Sequence, residues 1–498
     1  MIPHRLAFLC IAIVTTGSAT WAQDASPSRP HEPHNPTGDV TLAECLGLAL
    51  MHNPEISVYA WEPRMAEAST IQAGLRPNPV LSLDVQDIGV GGQGGESHTS
   101  LNVALNPSPA MGLGLERGNT SDTPGGLDSA EISLSLSQLI ELGGKRMKRL
   151  RLAQDDERVV DMDYEVLRAE VAAATAKAYY DVLVLQHRLE MAISFASFAG
   201  EAHAITQARV KAGKISPLEE TRSDVELRLI QLESEHAEHE LNSARIRLAA
   251  HWGSTEPLFT KVLGALSIPA EPGSMDSFLA MIELSPDVRR WTAERGRRES
   301  ELQLERANGK PGITVTAGIR STGVGGRADT ANFGLSTIDG ARLSRGDIDS
   351  HDDHEFSFMV GVSVPLPFFH RNQGRIREAE LAVEQLSDRE RALQVRLAAN
   401  VSAEWHALIA TYDEAKTLDE EILPKAQQAF GATQEGYRQG KFGLLDVLLS
   451  QRALFDTKKE LLDTFARHYG AKVELERYTG QSVYGEADAT SPIEGATQ

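Results

Sequence analysis

The sequence has little cysteine, few aromatic residues and no excess of positive charge. Of its 498 residues, 2 are cysteine and 6% are aromatic, and the formal net charge is -21. This balance disfavours the extended basic surface of a nucleic-acid-binding protein. Beyond the N-terminal region, no segment approaches ~18 consecutive apolar residues, so we predict no transmembrane helix.

The N-terminal residues 1–22 have the pattern of a secretory signal peptide. Arg5 precedes an apolar run, Leu6–Val14, and small or permissive residues lead to a predicted cleavage after Ala22. Cys10 lies inside the run without the small residue that an acylated cysteine needs before it, so we predict no lipid anchor. The mature chain then keeps Cys45, predicted to be a buried helix residue without a disulfide partner.

An exported chain without a transmembrane helix is secreted, periplasmic or an outer-membrane β-barrel. The pattern of predicted strands must distinguish these three possibilities. Residues 23–38 are Pro-rich and polar and are predicted to be a disordered leader. Residues 481–498 are predicted to be a disordered tail. Between them we predict a first repeat at 39–252, a linker at 253–272 and a second repeat at 273–480.

The repeat is visible in two alignments. "ALMHNPEI" aligns with "MIELSPDV", which places Pro54 against Pro286. "RVKAGKISPLEE" aligns with "YRQGKFGLLDV", which places a Gly-Lys pair of the first half against one of the second. Each half reads as helix, strand, Gly-rich loop, strand, very long helix, Gly turn and helix.

Four segments alternate apolar and polar residues at the period of a half-buried strand. Their length of about 9 to 11 residues is that of a strand that crosses a bilayer. The segments between paired strands are long and rich in Gly, Ser and Asp, and we interpret them as loops. The strands are predicted around Leu81–Gln86, Ile132–Ser137, Ile313–Ile319 and Phe356–Val364.

Each pair of strands leads directly into a helical pattern of about 65 residues, or about 100 Å. These long helices are predicted to end near Arg209 and Arg438, and Pro424 is predicted to kink the second one. Returning helices follow at about Pro217–Trp252 and Leu444–Tyr478. Apolar residues spaced by three and four in the returning helices predict an antiparallel packing seam; they are Val225, Leu229, Leu232, Leu445, Leu448 and Leu449.

Four strands cannot close into a barrel in lipid, because unpaired edges leave backbone groups without hydrogen bonds. Chains must therefore share a barrel, of twelve strands from three chains or eight from two. Since each strand leads to a helix, the helices must continue the cylinder as a hollow tunnel. The joint between strands and tunnel is predicted at Gly143, Gly144, Pro365 and Pro367.

The chain from about Val40 to Tyr478 resembles the TolC-like outer membrane efflux protein family. Its segments "LRPNP", "LSQLIELGGKRMKRLRLA" and "VPLPFFHRNQGRIREAE" are most similar to the heavy-metal branch, the outer-membrane partners of cobalt-zinc-cadmium or copper exporters. The resemblance implies a mixed α and β membrane protein: a homotrimer with a 12-stranded β-barrel continued by a periplasmic α-helical barrel. It also implies a periplasmic membrane-fusion adaptor and an inner-membrane resistance-nodulation-division (RND) pump as partners, with the barrel in outer-membrane lipid.

The resemblance places functional residues at the two helix tips. Gly213 and Gly440 are expected to supply the left-handed residue that ends each long helix on any interpretation. The resemblance implies that the tips dock the adaptor through Gly213, Lys214, Leu218, Gly440, Lys441 and Leu444. It also implies an acidic ring at the periplasmic entrance, formed by Asp446 and its repeat mate Glu219, although a solvated helix start explains both carboxylates too.

Other motifs carry weaker signals. "HDDHE" offers metal-ligand types at His351, Asp353 and His354, but a solvated loop explains it better. "GVGGQG" lacks the following helix that dinucleotide binding requires, and no hydrolase or metalloprotease motif is present. We therefore predict no cofactor and no enzymatic activity. The alternatives left open are a multidrug or type I secretion channel of the same architecture, an autonomous porin, and a periplasmic coiled-coil scaffold.

Overall fold

The chain divides into two compact units, each of which takes segments from both predicted repeats. A computed structural model describes residues 35–89, 98–105, 113–116, 131–267, 271–323, 335–336, 340–344 and 354–480. The predicted signal peptide and the predicted tail lie outside these residues. The first unit is the described part of Met1–Ser57, Glu170–Glu271 and Ala407–Val473, and the second is that of Val58–Ala169, Pro272–His406 and Glu474–Gln498.

Helices make up most of the described chain. A short 3₁₀ turn, Ile282–Leu284, and a π-helical turn, Leu418–Ile422, interrupt the regular pattern. In the described ranges no helix combines the length and the apolarity needed to cross a membrane. The α-helices are α1 (Leu42–His52), α2 (Pro54–Tyr59), α3 (Trp61–Ala73), α4 (Lys145–Lys211), α5 (Pro217–Ala250), α6 (Met275–Met281), α7 (Pro286–Asn308), α8 (Gln373–Thr417), α9 (Leu423–Arg438) and α10 (Leu444–Thr479).

The strands form a small sheet in the first unit and a large one in the second. The large sheet is antiparallel and has the strand order β4-β3-β2-β5-β7-β10-β9-β8. The small sheet pairs β1 with β6 in parallel. The strands are β1 (Gly38–Val40), β2 (Val80–Gly89), β3 (His98–Leu105), β4 (Leu113–Glu116), β5 (Glu131–Ile140), β6 (Phe259–Val262), β7 (Ile313–Gly323), β8 (Leu335–Ser336), β9 (Gly340–Ser344) and β10 (His354–Ser363).

All four predicted strands are confirmed, and they occupy the centre of the large sheet as β2, β5, β7 and β10. Four further strands, β3, β4, β8 and β9, form in the segments that were interpreted as loops. Strand β3 pairs along β2 from Leu81–Leu105 to Gly89–His98. The sequence carries a signal for β3, since Leu101, Val103 and Leu105 alternate with polar or small residues.

One face of the large sheet is an exposed apolar surface. Register places Leu83 opposite Leu134, Leu134 opposite Ile319, and Ile319 opposite Phe358. These four side chains are 42%, 38%, 46% and 57% exposed, in that order along the row. The neighbouring residues on the other face are mostly small or polar, as in Ser137, whose hydroxyl lies 3.0 Å from that of Thr316. The sheet is therefore two-faced, as its alternating sequence predicts.

The first unit has a hydrophobic core in which β6 is central. Trp252 and Phe259 are fully buried, and their ring centroids are 6.0 Å apart. Strand β6 lies inside the predicted linker, which is therefore structured at this point because its apolar side chains enter the core. Cys45 is also fully buried, as predicted, and burial, with Glu44 nearby, raises the pKa of its thiol to about 12.

The predicted leader was wrong at its last residues. Asn35 donates a hydrogen bond from its side-chain amide to the carbonyl oxygen of Glu256, 2.6 Å away. Gly38 begins β1 and pairs with Phe259. Pairing with β6 explains this order, because it satisfies backbone groups that a polar composition alone would leave to water.

The second long helix changes its hydrogen-bonding pattern at the predicted proline. Helix α8 gives way to the π-helical turn at Leu418–Ile422, and α9 follows with Pro424 in its first turn. Proline has no N–H to donate to the preceding turn, so the helix is locally interrupted there. The prediction of irregular structure at Pro424 is confirmed.

Of the six residues of the predicted packing seam, only Leu448 packs against a core cluster of the single chain. Val225, Leu229 and Leu232 are 53%, 56% and 49% exposed. The buried residues of α5 are instead small or lie toward its end, and include Ala237 and Leu248. Periodicity identifies an apolar stripe, but it does not say whether the partner belongs to the same chain. In α10, Leu445 and Leu449 are likewise exposed.

His468 is a fully buried histidine in the first unit. It lies on α10, and its Nδ1 is 3.1 Å from the Thr411 hydroxyl on α8. Burial, and then the charge of Lys472, lower the pKa of this imidazole from 6.5 to about 4. The neutral form is therefore the one that the fold accommodates.

We expect the stability of the protein to fall as the pH decreases from 6.5 to about 4, because the unfolded chain takes up a proton on His468 that the folded chain refuses. Above pH 6.5 the group is neutral in both states and contributes no pH dependence. The full effect of this group is roughly 3 kcal/mol in the free energy of unfolding. Denaturant unfolding of the detergent-solubilised protein at several pH values measures it.

The variant His468→Gln should lose this part of the pH dependence, whereas the exposed-site control His236→Gln should keep it. Parallel curves of unfolding free energy against pH for His468→Gln and the unmodified protein would contradict the assignment.

Candidate functional site at the helical hairpins

The first hairpin joins α4 to α5 through a glycine turn. Gly213 has a φ of 66°, and the Lys214 N–H donates to the Arg209 carbonyl oxygen at 2.9 Å. This is the Schellman arrangement, which closes a helix with a left-handed residue. Helix α5 then begins with Ser216 as its N-cap, whose hydroxyl accepts a bond from the Leu218 N–H at 3.2 Å.

The second hairpin joins α9 to α10 with the same geometry. Gly440 has a φ of 77°, and the Lys441 N–H donates to the Gly436 carbonyl oxygen at 2.7 Å. The predicted structural role of both turn glycines therefore agrees with their backbone conformation. Because L residues with a side chain rarely adopt this φ, each turn depends on its glycine.

The two hairpins contact each other through Arg209 and Tyr437. The Arg209 guanidinium donates to the Tyr437 carbonyl oxygen at 2.7 Å and lies 4.4 Å from the centroid of its ring. The Tyr437 hydroxyl lies 2.9 Å from the buried hydroxyl of Thr206. We did not predict these residues; the available signal was that Arg209 and Tyr437 each lie one turn before a repeated glycine.

The structure separates the predicted apolar contacts. Leu218 is 54% exposed, as a docking residue requires. Leu444 is 4% exposed and packs in a core cluster with Phe430 and Tyr437, so its prediction as an accessible contact was wrong. The adjacent Leu445 is 57% exposed. Successive side chains of a helix point about 100° apart. The spacing of apolar residues in the sequence did not show which of the two leucines faces the core.

The two predicted acidic residues have different surroundings. The Asp446 carboxylate is exposed and accepts a bond from the Gly443 N–H at 2.9 Å, in the first turn of α10. It forms no ion pair with any described residue. Glu219 is half-buried and pairs with Arg222 at 3.1 Å. Of the two, Asp446 therefore presents its negative charge more freely.

A recess open to solvent lies beside the hairpins, between α4, α9 and α10. Phe198, Phe430 and Val447 line it, together with Gln451. The Gln451 side chain is 3% exposed, and its amide nitrogen has no hydrogen-bond partner within the described chain. The recess is largely apolar with one unused donor.

The predicted joint residues lie where strands meet helices in the second unit. Gly143 and Gly144 have φ values of 76° and 70° and fill the turn between β5 and α4. Pro365 and Pro367 lie in the extended segment between β10 and α8. Proline suits this segment, because a chain that leaves a sheet no longer needs every backbone donor.

The weak metal candidates gain no support. His351 and Asp353 lie outside the described residues, and His354 is the first residue of β10, paired with Gly323. Over the residues that were searched, those the structure describes, no group of three or more His, Cys, Asp or Glu side chains could hold a metal ion.

Together, a sheet with one exposed apolar face and two glycine-turned helical hairpins define a membrane-associated protein with an extended helical part. The chain belongs to the outer membrane efflux protein family, whose pattern matches residues 45–254 and 280–481. The predicted family is thereby confirmed, and the protein is an outer-membrane efflux channel.

Individual relatives agree with this assignment. The chain is 29% identical to the cobalt-zinc-cadmium resistance protein CzcC of Cupriavidus metallidurans over 95% of this chain and 98% of that one. It is 25% identical to the nickel-cobalt-cadmium resistance protein NccC of Alcaligenes xylosoxydans, over 75% and 77% of the two chains. Among solved structures, CusC superimposes with a TM-score of 0.65 over 89% of this chain and 92% of that one, at 14% identity.

Replacing Gly213 by Ala should destabilise the protein by about 1 to 2 kcal/mol, because alanine must adopt a left-handed conformation there. Open space surrounds the position, so the cost comes from the backbone and not from a clash. The matched control is Gly200→Ala within α4, where an added Cβ also meets no atom. This substitution should stabilise the helix by roughly 0.5 to 1 kcal/mol. Equal midpoints of thermal unfolding for the two variants would contradict the assigned turn geometry.

Proposed function

We propose that the protein is the exit duct of a tripartite efflux pump and conducts heavy-metal cations out of the periplasm. The observation that carries the proposal is the similarity over nearly the whole chain to a protein named for cobalt-zinc-cadmium resistance. The apolar row across β2, β5, β7 and β10 supports a sheet in contact with lipid. Passage through the duct is passive, and the energy comes from an inner-membrane RND pump.

The functional assembly is proposed to be a homotrimer with a 12-stranded barrel. Strands β2, β5 and β10 have 10 residues each and β7 has 11, which suits a bilayer crossing. The flanking strands β3, β4, β8 and β9 have 8, 4, 2 and 5 residues. Only the four longer strands of each chain are therefore assigned to the barrel wall.

Assembly then requires an exchange of strand partners. In the single chain, β3 occupies the outer edge of β2, and β9 pairs with β10 at Met359, Val360 and Gly361. Pairing β2 of one chain with β10 of the next would replace both contacts and leave no open edge in lipid. The exposed stripe Val225, Leu229 and Leu232 supplies apolar surface for contacts between helices of neighbouring chains.

The repeats proposed at 39–252 and 273–480, with the linker at 253–272, are supported by the two family matches, which begin and end close to these limits. Each repeat contributes two wall strands, one long helix and one returning helix. Duplication therefore gives each chain two hairpins, and the trimer six, around the periplasmic entrance.

The adaptor is proposed to bind the hairpins. Gly213, Lys214, Gly440 and Lys441 form the turns, and the exposed apolar contacts nearby are Leu218 and Leu445. Asp446 is proposed to form an acidic ring at the entrance, with Glu219 as a weaker contributor because Arg222 neutralises it. A ring of carboxylates attracts cations, as the proposed cargo requires.

Deleting the gene in its host should lower the tolerated concentrations of cobalt, zinc and cadmium salts and leave sensitivity to lipophilic drugs unchanged. The physical reason is that the entrance offers exposed carboxylates for cations. Growth inhibition assays with plasmid complementation measure this. Greater sensitivity to drugs than to metals would instead identify a multidrug channel of the same architecture.

The variant Asp446→Asn should weaken block of the channel by divalent cations at the periplasmic side by at least about fivefold, because each carboxylate contributes about 1 kcal/mol to a nearby cation. Asparagine keeps an oxygen that can accept the Gly443 N–H, so the helix start is preserved. Single-channel recording in planar bilayers measures the block. The control Asp456→Asn removes a charge further along α10, and an identical response of both variants would remove Asp446 from the entrance.

A further inference from the structure

We propose that the end of the large sheet nearest α4 and α8 is a binding surface for anionic phospholipid headgroups. The inference rests on the proposed function, in which the strands cross the outer membrane and the long helices lead into the periplasm. The headgroups are therefore those of the periplasmic leaflet. The surface is called here the basic collar and comprises residues 74–80, 141–151, 306–313 and 364–377.

Strand register brings the four segments of the basic collar together at the same end of the large sheet. Val80 lies opposite Ser137, Ile140 opposite Ile313, and Ser363 opposite Thr314. The two outer strands therefore begin or end at the same level as the two inner ones. The segments that continue from these strand ends are consequently neighbours.

Close contacts confirm that the segments meet. The Arg149 guanidinium donates to the Leu75 carbonyl oxygen at 3.1 Å, which joins the first two segments. A Cβ added to Gly143 would lie 2.7 Å from Lys310 Cδ, and one added to Gly309 would lie 2.6 Å from the Arg371 carbonyl oxygen. The second, third and fourth segments are therefore also packed against one another.

The collar is strongly basic in a chain whose net charge is -21. Its four segments contain a single acidic residue, Glu141, which pairs with Arg149 at 2.9 Å. Against it stand the basic residues Arg76, Lys145, Arg146, Lys148, Arg149, Arg151, Arg306, Lys310, Arg371, Arg375 and Arg377.

Several of these charges are not neutralised by the protein. Arg306 and Arg377 pair with Glu380, and Arg151 pairs with Asp155. In contrast, no acidic side chain among the described residues pairs with the remaining basic residues. These are Arg76, Lys145, Arg146, Lys148, Lys310, Arg371 and Arg375. Unpaired positive charge at this density favours an anionic partner.

Exposed apolar side chains lie within the same surface. Leu366, Phe368 and Phe369 are 66%, 69% and 93% exposed, and Met147 between the lysines of α4 is 62% exposed. They continue the apolar face of β10, where Phe358 is 57% exposed. Aromatic side chains beside basic ones suit the boundary between acyl chains and headgroups.

This combination distinguishes lipid from other partners. A lining for a path of metal cations would not be positive, and a water-filled duct would not expose two adjacent phenylalanines. Juxtamembrane lysine and arginine contribute about 1 kcal/mol each to the attraction of an anionic membrane surface. The collar would hold the protein at a fixed depth by apolar and charge contacts together.

The test uses the full-length protein in an uncharged detergent, titrated with phosphatidylglycerol, phosphatidylcholine or lipid A and followed by native mass spectrometry. We expect phosphatidylglycerol to be retained more strongly than phosphatidylcholine, and less so at higher salt. The variant Lys145→Gln, Lys148→Gln, Arg375→Gln should weaken retention of phosphatidylglycerol by roughly fivefold per charge removed. These three side chains form no hydrogen bond or ion pair within the described chain, so folding should persist.

The matched control removes three exposed positive charges elsewhere, by Lys211→Gln, Arg228→Gln and Arg452→Gln, and should bind like the unmodified protein. Equal retention of phosphatidylglycerol and phosphatidylcholine, equal losses in both variants, or preference for lipid A would overturn the inference. Failure of the unmodified protein to insert into liposomes of any composition would instead overturn the proposed function.

Discussion

The structure depends on the two-faced character of the large sheet. Its central row, Leu83, Leu134, Ile319 and Phe358, exposes apolar side chains on one face, while small and polar residues occupy the other. Such a surface is unfavourable in water and favourable in lipid. Lipid in turn forbids unpaired backbone edges, so the sheet must be completed by other strands. Membrane location and the proposed oligomerisation thus have one physical basis.

The helical part satisfies a different constraint, which is to reverse direction without losing hydrogen bonds. Gly213 and Gly440 close their helices with the same bonding pattern, and Arg209 fastens the two turns by using the carbonyl oxygen of Tyr437. The π-helical turn before Pro424 accommodates a residue that cannot donate. The repeats therefore share their turns but differ in the interior of their long helices.

Charge is distributed unevenly along a chain that is acidic as a whole. Exposed Asp446 at a hairpin suits a cationic cargo, whereas the basic collar suits an anionic lipid surface. Both features come from short segments, and the net charge of the whole chain does not reveal them. The net charge of -21 alone would suggest only a soluble-looking exterior.

Patterns that local geometry fixes were determined by the sequence: the period of two in the four wall strands, the glycine turns and the irregularity at Pro424. The sequence could not decide which side of a helix meets a partner. Leu444 entered the core while Leu445 stayed exposed, and the stripe at Val225 remained uncovered in the single chain. Strand β3 and the Arg209–Tyr437 contact likewise depend on segments distant in sequence. Only tertiary structure settles such points, because burial and strand pairing are properties of neighbours in space, whereas periodicity reports only on neighbours along the chain.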